Sequence, residues 1–298
     1  MDFRLTGVVV PLLTPLDELD RLDVAALQRL VDFLISRGVS GLFSGGTTGE
    51  FPSLSFQERV DLARATVHAA DGRVPVVVHA GMNTTTETIR LALASAEAGA
   101  QAAAVITPYY YHFSEQALIE HFRAVAAALP DFPIYLYNNP QFTGNNITPS
   151  MVRRVVELCP NVIGMKDSSG ILTTLSASME LRGGKFNTLS GPDWLILAGQ
   201  AFGFDGCVSG STNVIPELTV ALYQAAHSQN WERARALQKR VDTARVLLGE
   251  GRDLSLYKGV LAERGIAVGK MRLPYPNTPV EIAKERWVKL EPLLRLDE

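Results

Sequence analysis

The sequence is poor in cysteine and carries no excess of positive charge. Its 298 residues include two cysteines, Cys159 and Cys207, which lie far apart and form no Cys-x-x-Cys pair. The composition therefore argues against a disulfide-based scaffold and against a cysteine zinc site. The formal net charge is -3, whereas nucleic-acid-binding domains are usually basic. We therefore expect no nucleic-acid partner.

Long apolar runs are also missing. The apolar stretch at residues 8–10 meets Pro11 at once, and no stretch approaches the roughly 20 apolar residues that a transmembrane helix needs. We therefore expect no signal peptide, no membrane partner and a cytoplasmic protein.

Sequence motifs that bind nucleotides or metals are absent as well. The chain has no Gly-x-Gly-x-x-Gly, no Walker loop and no Gly-x-Ser-x-Gly, and its five histidines show neither His-x-His nor His-Glu-x-x-His spacing. The first two motifs bind phosphates, the third presents a serine nucleophile, and paired histidines bind zinc. We therefore predict no cofactor and no metal.

The chain does contain a regular alternation of short and long apolar patterns. With 47% hydrophobic and 20% charged residues, it has the composition of a globular protein with a large core. Short strand-like runs lie at residues 7–13, 41–44, 76–80, 102–107, 134–137, 162–166, 187–190 and 206–209. Longer runs, in which apolar residues recur with helical spacing, lie between them at residues 24–37, 56–70, 86–98, 115–128, 149–158, 172–181 and 194–202.

Eight strand-then-helix units predict a parallel sheet closed into a (β/α)₈ TIM barrel over residues 1–225. A doubly wound open sheet is the alternative, but it usually has fewer strands and a phosphate-binding glycine motif. Helix-like runs at 217–227, 231–248 and 255–264 follow without intervening strands. We therefore predict that residues 226–298 form a C-terminal helical extension. Asp23 and Thr148 are predicted to cap helix N-termini, and Gly203 to end a helix.

A lysine at the end of a buried strand is the strongest candidate for chemistry. Lys166 ends the run 162–166, although removing an ammonium from water is costly. It either extends its charge to solvent or is a desolvated amine that attacks a carbonyl and forms a Schiff base. Alternation predicts that Val162, Gly164 and Lys166 share one face, where the glycine leaves space for the amine. Tyr137, near the end of the preceding strand, would then lie close enough to shuttle protons.

Polar residues follow other strands too, at the end of a barrel where chemistry gathers. The glycine-rich turn at 45–49 is either a tight connection or, because Thr47 and Thr48 place hydroxyls beside exposed N–H groups, a cradle for a carboxylate. The three consecutive tyrosines at 109–111 are interpreted as lining a pocket or a subunit contact.

Together these residues resemble the pyruvate-dependent class I Schiff-base lyases, the family that includes dihydrodipicolinate synthase and N-acetylneuraminate lyase. The resemblance covers essentially the whole chain. It is carried by Gly-Thr-Thr-Gly-Glu at 46–50, Pro-Tyr-Tyr at 108–110, Tyr-Asn-x-Pro-x-x-Thr-Gly at 137–144 and Gly-Met-Lys-Asp at 164–167. Each fragment alone is moderately specific, but their order at successive strand ends is strong support.

The resemblance implies catalytic roles for four residues. Lys166 would form the Schiff base with the keto carbon of pyruvate or another 2-oxo acid. Tyr137 would be the general acid and base. Thr47 would link Tyr137 to Tyr110, and the matching tyrosine in this family reaches in from a neighbouring subunit.

The resemblance also implies the binding residues and the assembly. Thr47 and Thr48 would hold the pyruvate carboxylate, while Gly191 and Val208 would line the pocket. The partners would be pyruvate or a 2-oxo acid together with an aldehyde, and the barrel would assemble as a homotetramer, a dimer of dimers. Neither a cofactor nor a metal would be required, because the protonated imine itself accepts electrons.

One position departs from the family pattern. Dihydrodipicolinate synthases carry an arginine that binds the carboxylate of aspartate semialdehyde. The matching position in this chain is Phe142. An aromatic ring cannot replace a bidentate guanidinium, although another arginine could compensate. The preferred substrate is therefore a 2-keto-3-deoxy sugar acid or related hydroxy-2-oxo acid. The alternatives are a 4-hydroxy-tetrahydrodipicolinate synthase and a non-catalytic barrel that binds a 2-oxo acid.

Overall fold

Eight parallel strands close into a barrel in the computed structural model, which describes residues 3–296. Each strand pairs with its neighbours along the chain, and the first strand pairs with the last. The strands are β1 (Gly7–Pro11), β2 (Gly41–Ser44), β3 (Val76–His79), β4 (Ala102–Ile106), β5 (Ile134–Asn138), β6 (Val162–Asp167), β7 (Asn187–Ser190) and β8 (Gly206–Val208). The (β/α)₈ barrel predicted from the alternation is thus confirmed.

Helices separate the strands and surround the barrel. They are α1 (Val24–Ser36), α2 (Phe56–Ala70), α3 (Thr85–Glu97), α4 (Glu115–Ala128), α5 (Pro140–Thr143), α6 (Pro149–Leu158), α7 (Leu172–Ser178), α8 (Leu181–Gly184), α9 (Ile196–Phe202) and α10 (Pro216–His227). The helix predicted at 172–181 ends early, and the short α8 contains the left-handed residues Arg182 and Gly183.

Local hydrogen bonds explain where several helices begin and end. The Asp23 carboxylate accepts from the Ala26 N–H at the start of α1. The Thr148 hydroxyl does the same for Met151 in α6, and Gly203 ends α9 with a left-handed φ of 88°. These three predictions are confirmed, because each needs only the local chemistry of one residue.

Two layers of apolar side chains hold the barrel together. An inner cluster fills the barrel and includes Val9, Phe43, Tyr137, Leu189 and Val208. Outer clusters lie between the strands and the surrounding helices. Because side chains alternate along each strand, one face supplies the inner layer and the other packs under the helices.

Three further helices follow the barrel: α11 (Trp231–Leu247), α12 (Leu254–Glu263) and α13 (Val280–Leu290). Helix α13 was not predicted from the sequence, and it buries only Ala283 and Leu290. The predicted division between residues 225 and 226 falls within α10 and remains a prediction. Within residues 3–296, no helix has both the length and the apolarity to cross a membrane.

Candidate active site

The predicted amine and its neighbouring phenol meet inside the barrel. Strands β5 and β6 pair so that Tyr137 lies beside Lys166. Lys166 is 4% exposed, and its Nζ lies 4.2 Å from the centre of the Tyr137 ring and 4.3 Å from that of Phe43. The lysine therefore does not reach solvent, and the interpretation as a desolvated amine is the one that the structure supports.

Burial changes the acidity of this amine. It lowers the pKa of Lys166 below the ordinary value of 10.5, while the neighbouring Tyr137 opposes the shift. Among residues 3–296 no carboxylate forms an ion pair with Lys166, so nothing but the phenol and the ring faces favours the ammonium. A lowered pKa increases the share of neutral amine, the form that acts as a nucleophile.

Tyr137 is held by hydrogen bonds at its hydroxyl. The Thr47 hydroxyl lies 3.0 Å from it, and the Asn139 amide donates to it at 3.3 Å. Burial raises the pKa of Tyr137, but the Lys166 charge and hydrogen bonds from Thr47, Asn139 and Ser168 outweigh it, so that the pKa lies below 10.0. A phenol with a lowered pKa, fixed beside an amine, suits a group that both donates and accepts protons.

Thr47 and Thr48 belong to a tight turn after β2. The N–H of Gly49 donates to the carbonyl of Gly46 and that of Glu50 donates to the carbonyl of Thr47, at 3.0 and 3.1 Å. Glu50 ends the turn with a left-handed φ of 58°. The segment is therefore a tight connection that places the Thr47 hydroxyl against Tyr137, and its use as a cradle for a carboxylate stays a prediction.

Strand β6 does not alternate as predicted. Its pairing with β5 is irregular near its start, where one residue of β6 has no partner. Val162 consequently packs in an outer cluster and Ile163 in the inner one. The prediction that Val162 shares a face with Lys166 was wrong, because a bulge shifts the alternation by one residue.

The space beside Gly164 has a different use from the one predicted. A Cβ added there would lie 2.6 Å from Cε1 of Tyr135 and 2.5 Å from the carbonyl oxygen of Asn187. The Tyr135 hydroxyl in turn donates to the Asn187 side chain at 2.5 Å. The glycine therefore admits the Tyr135 ring to the barrel interior and does not provide a channel for the amine.

The remaining predicted residues are placed as follows. Val208 lies in the inner cluster with Tyr137. Gly191 follows β7, where a Cβ would collide with the Ser168 hydroxyl at 2.2 Å. Tyr110 is 83% exposed with a left-handed φ of 81°. Among the residues that the structure describes, no hydrogen bond connects Tyr110 to Thr47, so the predicted link is not formed within one chain.

Sequence reasoning did not identify His79, a buried neighbour of the Lys166–Tyr137 pair. His79, at the end of β3, is fully buried, and its ring centre lies 5.7 Å from that of Tyr137. Burial, together with the charges of Arg59 and Lys166, keeps the pKa of His79 well below 6.5. His79 is therefore neutral at physiological pH and adds no charge beside the amine. Its position at a strand end was the available signal.

A second buried lysine was also missed. Lys258 of α12 is 2% exposed, although the helical pattern around it suggested a surface residue. Its Nζ lies 2.6 Å from Oε1 of Glu50 and donates to the carbonyls of Thr14 and Lys270 at 2.9 and 2.7 Å. No local pattern reveals this, because its partners come from distant parts of the chain.

A cavity of about 340 Å³ lies beside the β2 turn. Its walls come from the β2 turn, the β4 loop, α5 and the C-terminal extension, and they include Thr47, Thr48, Glu50, Tyr109, Phe142, Thr143, Arg252, Asp253 and Tyr275. Thr47 also contacts Tyr137, so the cavity and the amine–phenol pair meet at this threonine. A molecule in the cavity would therefore have direct access to the hydroxyl that holds Tyr137.

The charged residues in this wall differ in how they are partnered. Glu50 is paired with Lys258, and the Asp253 carboxylate accepts from the N–H and hydroxyl of Ser255. The Arg252 side chain is 84% exposed, and its guanidinium lies 3.9 Å from the carboxylate of Glu250. Arg252 is thus the wall residue whose charge is most available to a ligand.

The described part of the chain offers no obvious metal centre. Between residues 3 and 296, no three histidine, cysteine, aspartate or glutamate side chains are grouped in a way that would hold a metal ion. The groups that surround Lys166 are aromatic rings and neutral hydrogen-bonding side chains.

Comparison with known proteins gives the family. A sequence profile of the "Dihydrodipicolinate synthetase family" matches residues 4–291. The chain is 36% identical to a 4-hydroxy-tetrahydrodipicolinate synthase from Methanosphaerula palustris, over 92% of this chain and 94% of that protein. It is 40% identical to a protein of the same name from Methanothrix thermoacetophila, over 90% of both chains.

Solved structures agree. A prophage protein of the dihydrodipicolinic acid synthase family from E. coli K12, in complex with pyruvate, superposes with a TM-score of 0.89 at 31% identity, covering 97% of this chain and 98% of that one. The barrel, the buried lysine and the whole-chain match lead to one assignment. The chain belongs to the dihydrodipicolinate synthetase family and is a carbon–carbon lyase that forms a lysine Schiff base with pyruvate.

Proposed function

We propose that Lys166 is the amine that forms the Schiff base and that Tyr137 moves the protons. The observation that carries this proposal is the pairing of a buried amine of lowered pKa with a phenol fixed beside it. Nucleophilic attack needs the neutral amine, and loss of the carbonyl oxygen needs a proton donor. The cavity reaches this pair at Thr47, whose hydroxyl contacts that of Tyr137.

The reaction follows from these two groups. The Lys166 amine adds to the keto carbon of pyruvate, while Tyr137 transfers a proton from the nitrogen to the oxygen. A second protonation releases water and leaves a protonated imine. Loss of a proton from the methyl carbon gives an enamine, whose carbon attacks the aldehyde to form the new carbon–carbon bond, and the aldehyde oxygen takes up a proton. Hydrolysis then frees Lys166, and cleavage is the same sequence reversed.

The pyruvate carboxylate binds at the β2 turn in this proposal. Thr47 and Thr48 both line the cavity and supply hydroxyl donors, and the Thr47 hydroxyl lies against Tyr137. Gly191 follows β7 and Val208 ends β8, and in this proposal both line the pyruvate pocket at this end of the barrel. Two hydroxyls and nearby N–H groups stabilise a carboxylate without a full positive charge.

For the aldehyde we infer two candidates, and their order differs from the one expected from sequence. Aspartate semialdehyde is the first, because relatives of 36–40% identity are named 4-hydroxy-tetrahydrodipicolinate synthase. The cation that such an acidic aldehyde needs would be Arg252, which shares the cavity with Phe142. A neutral sugar-derived aldehyde is the second, favoured by the aromatic ring at position 142 in place of the expected guanidinium.

Two measurements test this function. Borohydride reduction in the presence of pyruvate should add the mass of the reduced pyruvate adduct at Lys166, whereas a barrel that only binds 2-oxo acids would show no mass change. Turnover with pyruvate should then be compared for aspartate semialdehyde and glyceraldehyde. An Arg252→Gln variant should raise the KM for the acidic aldehyde about tenfold and leave that for glyceraldehyde unchanged. A dominant activity with glyceraldehyde in the wild type would exclude the first candidate.

The proposal includes a homotetramer in the cytoplasm. Tyr110 and Tyr111 are exposed on the single chain and meet edge to face, with ring centres 5.0 Å apart. An exposed aromatic pair of this kind favours a contact with a second subunit, through which Tyr110 would reach the partner's Thr47. Analytical ultracentrifugation of the wild type and of Tyr110→Ser tests the assembly, and a monomeric wild type would contradict it.

A further inference from the structure

The strongest feature outside the amine–phenol pair is the buried ion pair between the C-terminal extension and the β2 turn. The Lys258 ammonium has three N–H donors, and three oxygens surround it: Oε1 of Glu50 and the carbonyls of Thr14 and Lys270. Two of its donors form hydrogen bonds with the carbonyls, and the Glu50 carboxylate is its ion-pair partner. The Glu50 and Lys258 side chains are each 2% exposed, so neither charge is balanced by water.

Glu50 connects this ion pair to the proposed pyruvate site. It is the last residue of the turn that holds Thr47 and Thr48, and its N–H donates to the Thr47 carbonyl at 3.1 Å. Its backbone is left-handed, a conformation that residues other than glycine keep only when their surroundings fix them. Lys258 is the group that fixes its side chain.

The same ion pair also neutralises the negative charge of Glu50 in the cavity wall. Glu50 lines the cavity together with Thr47 and Thr48. An unpaired carboxylate there would repel the carboxylate of a 2-oxo acid, because opposition between like charges is strong in a water-poor site. Lys258 balances this charge from the side away from the substrate.

Thr14 ties the same turn to β1. Its hydroxyl donates to the carbonyl of Gly49 at 2.7 Å, while its own carbonyl accepts from Lys258. The ammonium thus holds the ends of two strand loops together with the segment that follows α12. Removing the Lys258 ammonium would break both its ion pair with Glu50 and its hydrogen bond to Thr14, the two contacts through which it holds the turn.

We propose that Lys258 and Glu50 are positioning residues for pyruvate binding: the C-terminal extension anchors the turn at residues 46–50 and cancels its charge. This inference rests on the proposed function, in which Thr47 and Thr48 bind the pyruvate carboxylate. Neither residue touches the reacting atoms. Their effect is therefore on the affinity for pyruvate and not on the chemistry at Lys166.

The test is the pyruvate concentration that half-saturates borohydride trapping at Lys166. Trapping in the wild type establishes the Schiff base first, so a failure of the proposed function is seen separately. Lys258→Met should raise the half-saturating concentration about tenfold or more while turnover at saturating pyruvate changes less than about threefold. Glu50→Gln keeps the size of the side chain and loses the ionic anchor but introduces no repelling carboxylate, so it should raise the half-saturating concentration by a smaller factor, and it replaces Lys258→Met if that variant does not fold.

The matched control is Leu261→Ala, a buried apolar substitution in the same helix whose side chain packs in an outer cluster. It should lower the melting temperature without moving the half-saturating concentration. The proposal is overturned if Lys258→Met and Glu50→Gln bind pyruvate like the wild type. It is equally overturned if Leu261→Ala shifts pyruvate binding by the same factor, since the effect would then follow from general loss of stability.

Discussion

The molecule buries two lysines, one in the barrel and one in the C-terminal extension, and surrounds them differently. Lys166 has ring faces and a phenol beside it, with Thr47 and Asn139 behind that phenol. Lys258 has a carboxylate and two carbonyls. Burial lowers the pKa of both amines, but only Lys258 has a full negative charge that favours its ammonium.

Burial alone therefore does not make a lysine a nucleophile. An amine whose partners are neutral can lose its proton and attack a carbonyl, whereas the charge of a paired carboxylate favours the ammonium form. The partners of the amine therefore decide its chemistry. The four predictions below test this contrast.

Lys166→Ala should have the largest effect. Removal of the nucleophile eliminates the Schiff base, so turnover should fall by at least about 10⁴-fold and the borohydride adduct should disappear. The fold should persist, as judged by circular dichroism. Lys239→Ala, at an exposed position of α11, is the control and should retain activity. An adduct on another lysine in the Lys166 variant would contradict the assignment.

Tyr137→Phe should come next. It removes the proton carrier while keeping the ring that packs against Lys166, so turnover should fall about 10²–10⁴-fold with little change in melting temperature. Steady-state kinetics and differential scanning fluorimetry measure the two effects. Near-normal turnover would remove Tyr137 from its role as general acid and base.

Replacing the two lysines by methionine should change the free energy of unfolding in opposite directions. Lys258→Met leaves the Glu50 carboxylate buried without its partner, which should cost about 3–5 kcal/mol of the free energy of unfolding. Lys166→Met removes a desolvated amine that has no opposite charge and should raise the free energy of unfolding. Urea denaturation near neutral pH measures both. If Lys166→Met lost as much stability as Lys258→Met, the claim that only Lys258 is stabilised by an opposite charge would be wrong.

The smallest predicted effect is on pH dependence. Because burial lowers the pKa of Lys166, the folded protein loses this proton at a pH at which the unfolded chain still holds it. The free energy of unfolding of the wild type, relative to Lys166→Met, should therefore rise with pH between the lowered pKa and 10.5. The rate of borohydride trapping should rise to a plateau in the same window. A rate that still climbs at pH 10.5 would show an ordinary lysine.

The barrel was predictable because its pattern is local and repeated. Each strand–helix unit shows its own change of apolar spacing, and consecutive units of a barrel are neighbours in space. Lys166 and Tyr137 end consecutive strands, so their contact followed from the order of the strands alone. The bulge in β6 was not predictable, since no residue type in the segment requires it.

The sequence by itself thus determined the closed barrel, the buried amine and the phenol beside it. Only the tertiary structure decided that Lys258 reaches Glu50, that Phe142 and Arg252 share one cavity wall, and that Tyr135 fills the space at Gly164. The physical reason is the distance along the chain over which the interactions act. Helical and strand periodicity depends on residues a few positions apart, whereas a buried ion pair or a cavity wall depends on where distant segments meet in the folded chain.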